Sequence, residues 1–222
     1  MGFVVALDGP AGSGKGTVTK KVAEKMNLIN IDTGAMYRCV TLECLNNGIT
    51  PNDIEKIERI LEKIDIKLER KEKKQIVILN QKDVTKKIRT TEIDENVAQF
   101  SAIKQVRDKI TPIQQKMSEN ADIIMEGRDI GTVVFPNADV KIFLDCSIEE
   151  RARRRYKQNI EKGIKCSYEE VLESIKQRHL LETQREIAPL KQAEDAKYID
   201  STNLTIEQVV EKIIKIIKEK RR

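Results

Sequence analysis

The first apolar block, Phe3-Val4-Val5-Ala6-Leu7, is unbroken and passes through Asp8 into a glycine-rich turn. An uninterrupted run of that kind, closed by glycine, predicts a parallel strand buried on both faces. Val18, Val22, Ala23 and Met26 follow at helical spacing, which predicts a helix from about Gly14 to Met26. Four later runs, Leu28 to Ile31, Ile123 to Met125, Val140 to Leu144 and Tyr198-Ile199, predict further core strands separated by helical stretches. The expected fold class is therefore α/β, with about five parallel strands covered by helices. Capping boxes at Ser147-Ile148-Glu149-Glu150, Ser167-Tyr168-Glu169-Glu170 and Thr205-Ile206-Glu207-Gln208 predict helices over 148–161, 168–183 and 206–219.

One stretch breaks the alternation. Ile64 to Glu69 alternates with period two and Gln75 to Asn80 is strand-like, with the charged segment Arg70 to Lys74 between them. This predicts a small antiparallel insert of about 30 residues with a solvated turn, extended by Lys82-Asp83-Val84.

Composition narrows the class. The chain is 39% apolar and 35% charged, as for a water-facing globular protein, and no apolar run approaches the roughly 20 residues a bilayer requires. The apolar run at Phe3 to Leu7 is too short for a secretory signal. Cys39, Cys44, Cys146 and Cys166 form no C-x-x-C pair, and the chain has a single histidine, so no metal site is expected. Reduced thiols in the cytoplasm are the simplest expectation. The net charge of +5 is compatible with nucleic acid, but 4% aromatics and no Trp leave no stacking platform. An anionic small substrate accounts for the same charge.

The segment Gly9-Pro10-Ala11-Gly12-Ser13-Gly14-Lys15 fits G-x-x-x-x-G-K and lies between a predicted strand and a predicted helix. Glycines let backbone N–H groups turn inward onto phosphate oxygens, Lys15 adds a positive charge, and the helix N-terminus faces the same anion. The alternative is a plain glycine turn opening a helix. The hydroxyl expected directly after the lysine is displaced by one position, because Gly16 precedes Thr17.

The Lys-Gly-Thr variant directs attention to nucleoside monophosphate kinases. Asp32-Thr33-Gly34-Ala35-Met36-Tyr37-Arg38, Ile88-Arg89-Thr90, Val106-Arg107 and Gly127-Arg128-Asp129-Ile130-Gly131-Thr132-Val133-Val134-Phe135-Pro136 carry a resemblance to bacterial cytidylate kinases. It continues through Lys141 to Asp145, Glu150 to Arg155, Ala188-Pro189-Leu190 and Asp200-Ser201-Thr202, and so runs almost end to end. It implies transfer from ATP, carried with Mg²⁺, to CMP or dCMP. It also implies a core over 1–35 and 108–222, a monophosphate-binding arm with the insert over about 36–107, and a lid over about 150–166, in a monomer.

By position, the resemblance assigns ATP to Gly9, Pro10, Ala11, Gly12, Ser13, Gly14, Lys15, Gly16, Thr17 and Arg154. Arg38, Arg128 and Arg185 would gather the acceptor phosphate and, with Lys15, form the catalytic set. Thr33, Arg107, Asp129 and Arg185 would line the cytosine pocket, and Arg178 and Glu182 would meet the sugar. Cytosine presents an amino donor beside two acceptors, so a carboxylate or hydroxyl next to an arginine suits it on chemical grounds. Taken singly, these groups have plainer explanations. Arg38 and Arg107 would be solvated helix charges, Arg128 and Asp129 a surface ion pair, and His179 a surface position. Arg151, Arg154 and Arg155 share a helical face that is either solvent coverage or a lid closing on ATP.

The chain departs from the family pattern at Glu126, where aspartate is usual, and at Ala98, where serine is usual. In Arg178 to Arg185, His179 and Glu182 replace two aspartates. The alternatives in function are a kinase for UMP or AMP, or a P-loop protein that binds RNA or a partner without turnover.

Overall fold

Val4–Asp8 forms strand β1, and all five of its residues are buried. In the computed structural model, which describes residues 2–71, 74–119 and 121–221, β1 is the central strand of a parallel sheet. Its partners are β2 (Ile29–Asp32), β6 (Ile123–Gly127), β7 (Val140–Asp145) and β8 (Lys197–Asp200), in the order β2-β6-β1-β7-β8. Period-two alternation divides the core. Val5 and Leu7 pack with Val18 and Val22 of α1 (Lys15–Met26) and Val209 and Ile213 of α8 (Ile206–Lys220). Val4 and Ala6 face the other way, toward Ile31, Met125, Ile130 and Val134. Both faces of the strand are therefore dry, as its continuous apolar sequence requires.

The register brings the carboxyl ends of the strands to one edge, with Asp8 beside Gly127, Asp32 beside Glu126 and Asp145 beside Asp200. The strand order reverses about β1, and ligands of open parallel sheets bind at such an edge.

A second core lies beside the sheet. Helices α2 (Gly34–Asn46), α3 (Ile54–Lys63), α4 (Thr91–Phe100) and α5 (Lys104–Lys116) pack around Met36, Val40, Ile57 and Ile110. An antiparallel sheet of β3 (Ile66–Lys71), β4 (Lys74–Leu79) and β5 (Lys82–Asp83) joins it through Ile66, Val77 and Leu79. The expected solvated turn over Arg70 to Lys74 is shorter than its charge suggested. Arg70 pairs with Gln75 and Lys71 with Lys74 in the ladder, because its hydrogen bonds are made by the backbone whatever the side chains carry; Glu72 and Lys73 fall outside the described residues.

The predicted helix 148–161 is observed as α6 (Ile148–Glu161), with Ser147 accepting from the Glu150 N–H at 3.2 Å. The expected capping box is only half formed, because the Glu150 carboxylate pairs with Arg153 and Arg154 and the Ser147 N–H donates to Thr202 Oγ1 instead. Helix α7 (Tyr168–Gln184) begins at its predicted capping box, as does α8. All four cysteines are free thiols. Among the described residues, no helix is long and apolar enough to cross a membrane.

Candidate active site

One cleft of about 1950 Å³ opens at the strand edge, bounded by the glycine loop, the second core and helices α6 and α7. That exceeds the several hundred cubic ångströms of a single small-ligand pocket, so there is room for two substrates side by side.

On one side, Gly9 leaves β1 at φ 151°, and a Cβ there would stand 2.0 Å from the Leu144 carbonyl oxygen, so only glycine fits. The loop delivers the chain into α1, whose N-terminus has no side-chain cap and no acidic residue in its first turn. Its first N–H groups and partial positive charge are therefore available to an anion. The Lys15 ammonium folds over the loop, donating to the Pro10 carbonyl at 2.7 Å and to Ser13 Oγ at 3.3 Å. Burial, then Arg128, lowers the pKa of this amine.

The displaced hydroxyl after Lys15 has a steric cause. A Cβ on residue 16 would lie 3.2 Å from Glu126 Oε1, so the Glu126 carboxylate occupies the space a serine or threonine side chain would fill. Burial and then the neighbouring Asp32 carboxylate raise the pKa of Glu126. Two carboxylates thus sit at neighbouring register positions beside the phosphate loop, hard oxygen donors of the kind that suit Mg²⁺ arriving with a polyphosphate. Arg154, on α6, reaches the same loop, donating from Nη1 to the Ser13 carbonyl at 3.2 Å and from Nη2 to that of Ser201 at 2.8 Å.

Across the cleft, side chains from remote segments meet. Arg107 of α5 pairs with Asp129, and both are 3% exposed. The Arg107 guanidinium also lies 5.4 Å from the Tyr37 ring centroid, and Arg185 Nη2 approaches Asp129 Oδ1 at 3.8 Å. Thr33, at the start of α2, donates its hydroxyl to the Glu126 carbonyl at 2.7 Å. Glu182 accepts from Arg128 Nε at 2.9 Å through Oε2 and from Arg178 Nε at 2.9 Å through Oε1. Burial opposes its ionisation, but Arg128 and Arg178 together hold its carboxyl far below the usual range. Arg38 of α2 pairs with Asp94 of α4.

Several expectations change. Arg128 and Asp129 do not pair with each other; adjacent in sequence, they point to different partners, Glu182 and Arg107. Arg185 does not share the Glu182 carboxylate with Arg128 and Arg178; its guanidinium donates to the Ala188 carbonyl at 2.8 Å. Arg151 is not solvent coverage. It is 2% exposed against the back of the loop, and a Cβ on Gly12 would meet its Cβ at 3.0 Å. Arg151 therefore faces inward while Arg153 of the same helix faces water, with its side chain 71% exposed. His179 is half-buried rather than at the surface, with its Nδ1 enclosed.

Three acidic residues were not among the sequence candidates. Asp8 accepts from the Ile130 and Gly131 N–H groups at 2.8 and 2.7 Å and so fixes the turn that carries Arg128 and Asp129. Asp32 accepts from Arg89 Nη2 at 2.5 Å. Both end strands at the ligand-binding edge, a signal the sequence did contain. Asp94 offers no such signal, because acids are ordinary in the first turn of a helix.

A parallel sheet with a phosphate loop at its switch point, facing a cluster of buried arginines, defines a P-loop phosphotransferase acting on an anionic acceptor. The cytidylate kinase family profile matches residues 5–219. A cytidylate kinase of Fusobacterium nucleatum is 49% identical over 217 residues, covering 98% of each chain. One from Bacillus subtilis is 46% identical over 218 residues, covering 98% of this chain and 97% of its own. This chain belongs to the cytidylate kinase family. A solved gluconokinase from Sinorhizobium meliloti 1021, 12% identical, superposes with a TM-score of 0.50 over 98% of this chain and 92% of its own, a likeness of fold alone.

Proposed function

We propose that this enzyme transfers the terminal phosphoryl group of ATP, bound with Mg²⁺, to CMP or dCMP. The observation that carries the proposal is the facing of two unlike anion sites across one cleft. A backbone cradle with Lys15 stands on one side, and Arg38, Arg128 and Arg185 stand on the other. In this assignment Gly9 to Thr17 and Arg154 hold ATP, with Glu126 and Asp32 on the side of its metal ion. Arg107 and Asp129, enclosed beside Thr33, match the acceptor and donor edge of cytosine, and Arg178 and Glu182 border the sugar.

An oxygen of the acceptor phosphate attacks the terminal phosphorus in line. The new P–O bond forms as the bond to the bridging oxygen breaks, and ADP leaves with that electron pair. The acceptor is already ionised, so no general base is needed. Positioning and charge stabilisation by lysine, arginine and Mg²⁺ supply the catalysis. Helix α6 and the turn after it serve as the lid, residues 36–107 as the acceptor arm, and the enzyme works as a cytoplasmic monomer. The test is an ADP-release assay with CMP, dCMP, UMP and AMP. CMP and dCMP should be the preferred acceptors, with kcat/KM at least about tenfold above the other two. Comparable or faster turnover of UMP or AMP would reassign the acceptor.

A further inference from the structure

Among the described residues, Asp94 alone joins the acceptor arm to helix α6 by an ion pair. It lies in the first turn of α4, after the Thr90 cap, and its side chain is 16% exposed. One carboxylate oxygen, Oδ1, pairs with Arg38 of α2, and the other, Oδ2, pairs with Arg155 of α6. Arg178 of α7 also donates from Nη1 to the Asp94 carbonyl at 3.4 Å. Burial disfavours the charge on Asp94, yet Arg38 and Arg155 hold its carboxyl below the usual carboxylate range. Asp94 is therefore an ionised bridge between the acceptor arm and the helix that carries the lid.

We propose that Asp94 is a positioning residue that couples occupancy of the acceptor site to the hold on the lid helix. The proposal rests on the assignment of Arg38 to the acceptor phosphate and of α6 to the lid. Two guanidinium groups on one carboxylate leave the cluster with a net positive charge, so Arg38 and Arg155 repel each other across it. An acceptor phosphate at Arg38 supplies the missing negative charge and draws on the Asp94–Arg38 contact. The Oδ2 contact to Arg155 then strengthens, because the opposing cation is neutralised in a partly enclosed, weakly screened site. Acceptor binding thereby tightens α6 over the donor site, and ATP and the monophosphate bind with positive coupling. By reciprocity, ATP tightens the monophosphate by the same factor.

Hydrogen exchange of the α6 amides, measured on the full chain with and without CMP, tests this bridge. In Asp94→Asn without ligand, α6 exchange should rise about fivefold, the scale of one partly exposed ion pair. CMP should slow α6 exchange in the wild type and leave Asp94→Asn almost unchanged. Saturating CMP should raise the affinity for a non-hydrolysable ATP analogue about fivefold in the wild type and leave it unaltered in the variant. Glu92→Gln removes a carboxylate from the same helical turn without touching either arginine, and should behave as wild type. Arg155→Gln approaches the bridge from its other end and should abolish the CMP response in the same way, which covers a failure of Asp94→Asn to fold. The proposal is overturned if unliganded α6 exchange is the same in Asp94→Asn as in wild type. It is equally overturned if the CMP response survives in that variant, or if Glu92→Gln reproduces the loss. Absence of CMP binding and turnover in the wild type would instead overturn the acceptor assignment, and the unliganded comparison would still decide the bridge.

Discussion

On the proposed assignment, the two sides of the cleft recognise phosphate by opposite constructions. The donor side is nine consecutive residues, and Lys15 finds both of its hydrogen-bond partners within five positions, at Pro10 and Ser13. Its recognising groups are largely backbone amides at a helix N-terminus, which have no side-chain partner before the ligand arrives. The acceptor side is assembled from α2, α4, α5, the turn after β6, and α7, and its cations already hold carboxylates. Arg38 holds Asp94, Arg107 holds Asp129, and Arg128 holds Glu182. On that assignment donor binding would satisfy vacant N–H groups, whereas acceptor binding would exchange one anionic partner for another. An exchange of that kind discriminates more sharply, because a ligand that cannot replace the lost contacts leaves buried charge unpaired. It also makes the acceptor side depend on the whole fold.

Removing the one titratable cation of the donor side should break the comparison most severely. Lys15→Ala is expected to lower kcat at least about a hundredfold, because its charge acts mainly on the transferring phosphoryl group. Thermal unfolding should be little changed. Activity within tenfold of wild type would mean that the loop is not the catalytic cradle.

Arg128→Lys should separate the sides. A guanidinium holds Glu182 through Nε and can still present its terminal nitrogens to a phosphate, which an ammonium cannot do. A loss of about thirtyfold in kcat/KM for CMP is expected, with ATP affinity nearly unchanged. Equal damage to both substrates would place Arg128 on the donor side.

Glu182→Gln keeps the size and removes the charge that both Arg128 and Arg178 share. CMP and dCMP turnover should fall by similar factors, about tenfold, and stability by about 3 kcal/mol because a buried pair loses one partner. The carboxyl titrates far below its unfolded value of 4.5. Its contribution is therefore complete above that value and fades as pH falls below it, so the variant should lose stability relative to wild type at neutral pH and converge with it in acid. Denaturant titrations at pH 7 and pH 3 give both numbers. A loss confined to CMP would indicate contact with the 2′-hydroxyl, and unchanged kinetics would exclude Glu182 from the sugar site.

The smallest expected effect is one of pH. Burial and Arg128 bring the Lys15 amine down to about 7, whereas the acceptor arginines stay charged throughout the neutral range. A polyphosphate selects the ammonium form, so ATP affinity should decline as pH rises above about 7, by about fivefold between pH 7 and 8. Affinity for CMP should stay level over the same interval. Calorimetry in two buffers of different ionisation heat would detect the proton taken up with ATP, and an identical slope for both substrates would contradict the assignment of Lys15.

Much of this protein was legible in its sequence because much of it is local. The continuous run Val4 to Leu7, the helical spacing from Val18 to Met26 and the N-cap residues Ser147, Ser167 and Thr205 act over a few residues, and strand, loop and helices stand where those signals put them. The phosphate loop was legible for the same reason, since its recognition is a property of consecutive backbone amides. The sequence also supplied the arginines, but only through resemblance, because an isolated arginine on a helix looks the same whether it meets water or phosphate. Tertiary structure alone decided the partners. Arg128 turns from its neighbour to Glu182, Arg151 goes inward behind Gly12, and Gly16 replaces a hydroxyl residue because Glu126, 110 positions away, fills the space. Asp94, ordinary as a helix-start acid, becomes the meeting point of Arg38 and Arg155. Charges separated along the chain interact only once burial has brought them together and removed the water between them. Chain folding creates that proximity, and no local window of residues encodes it.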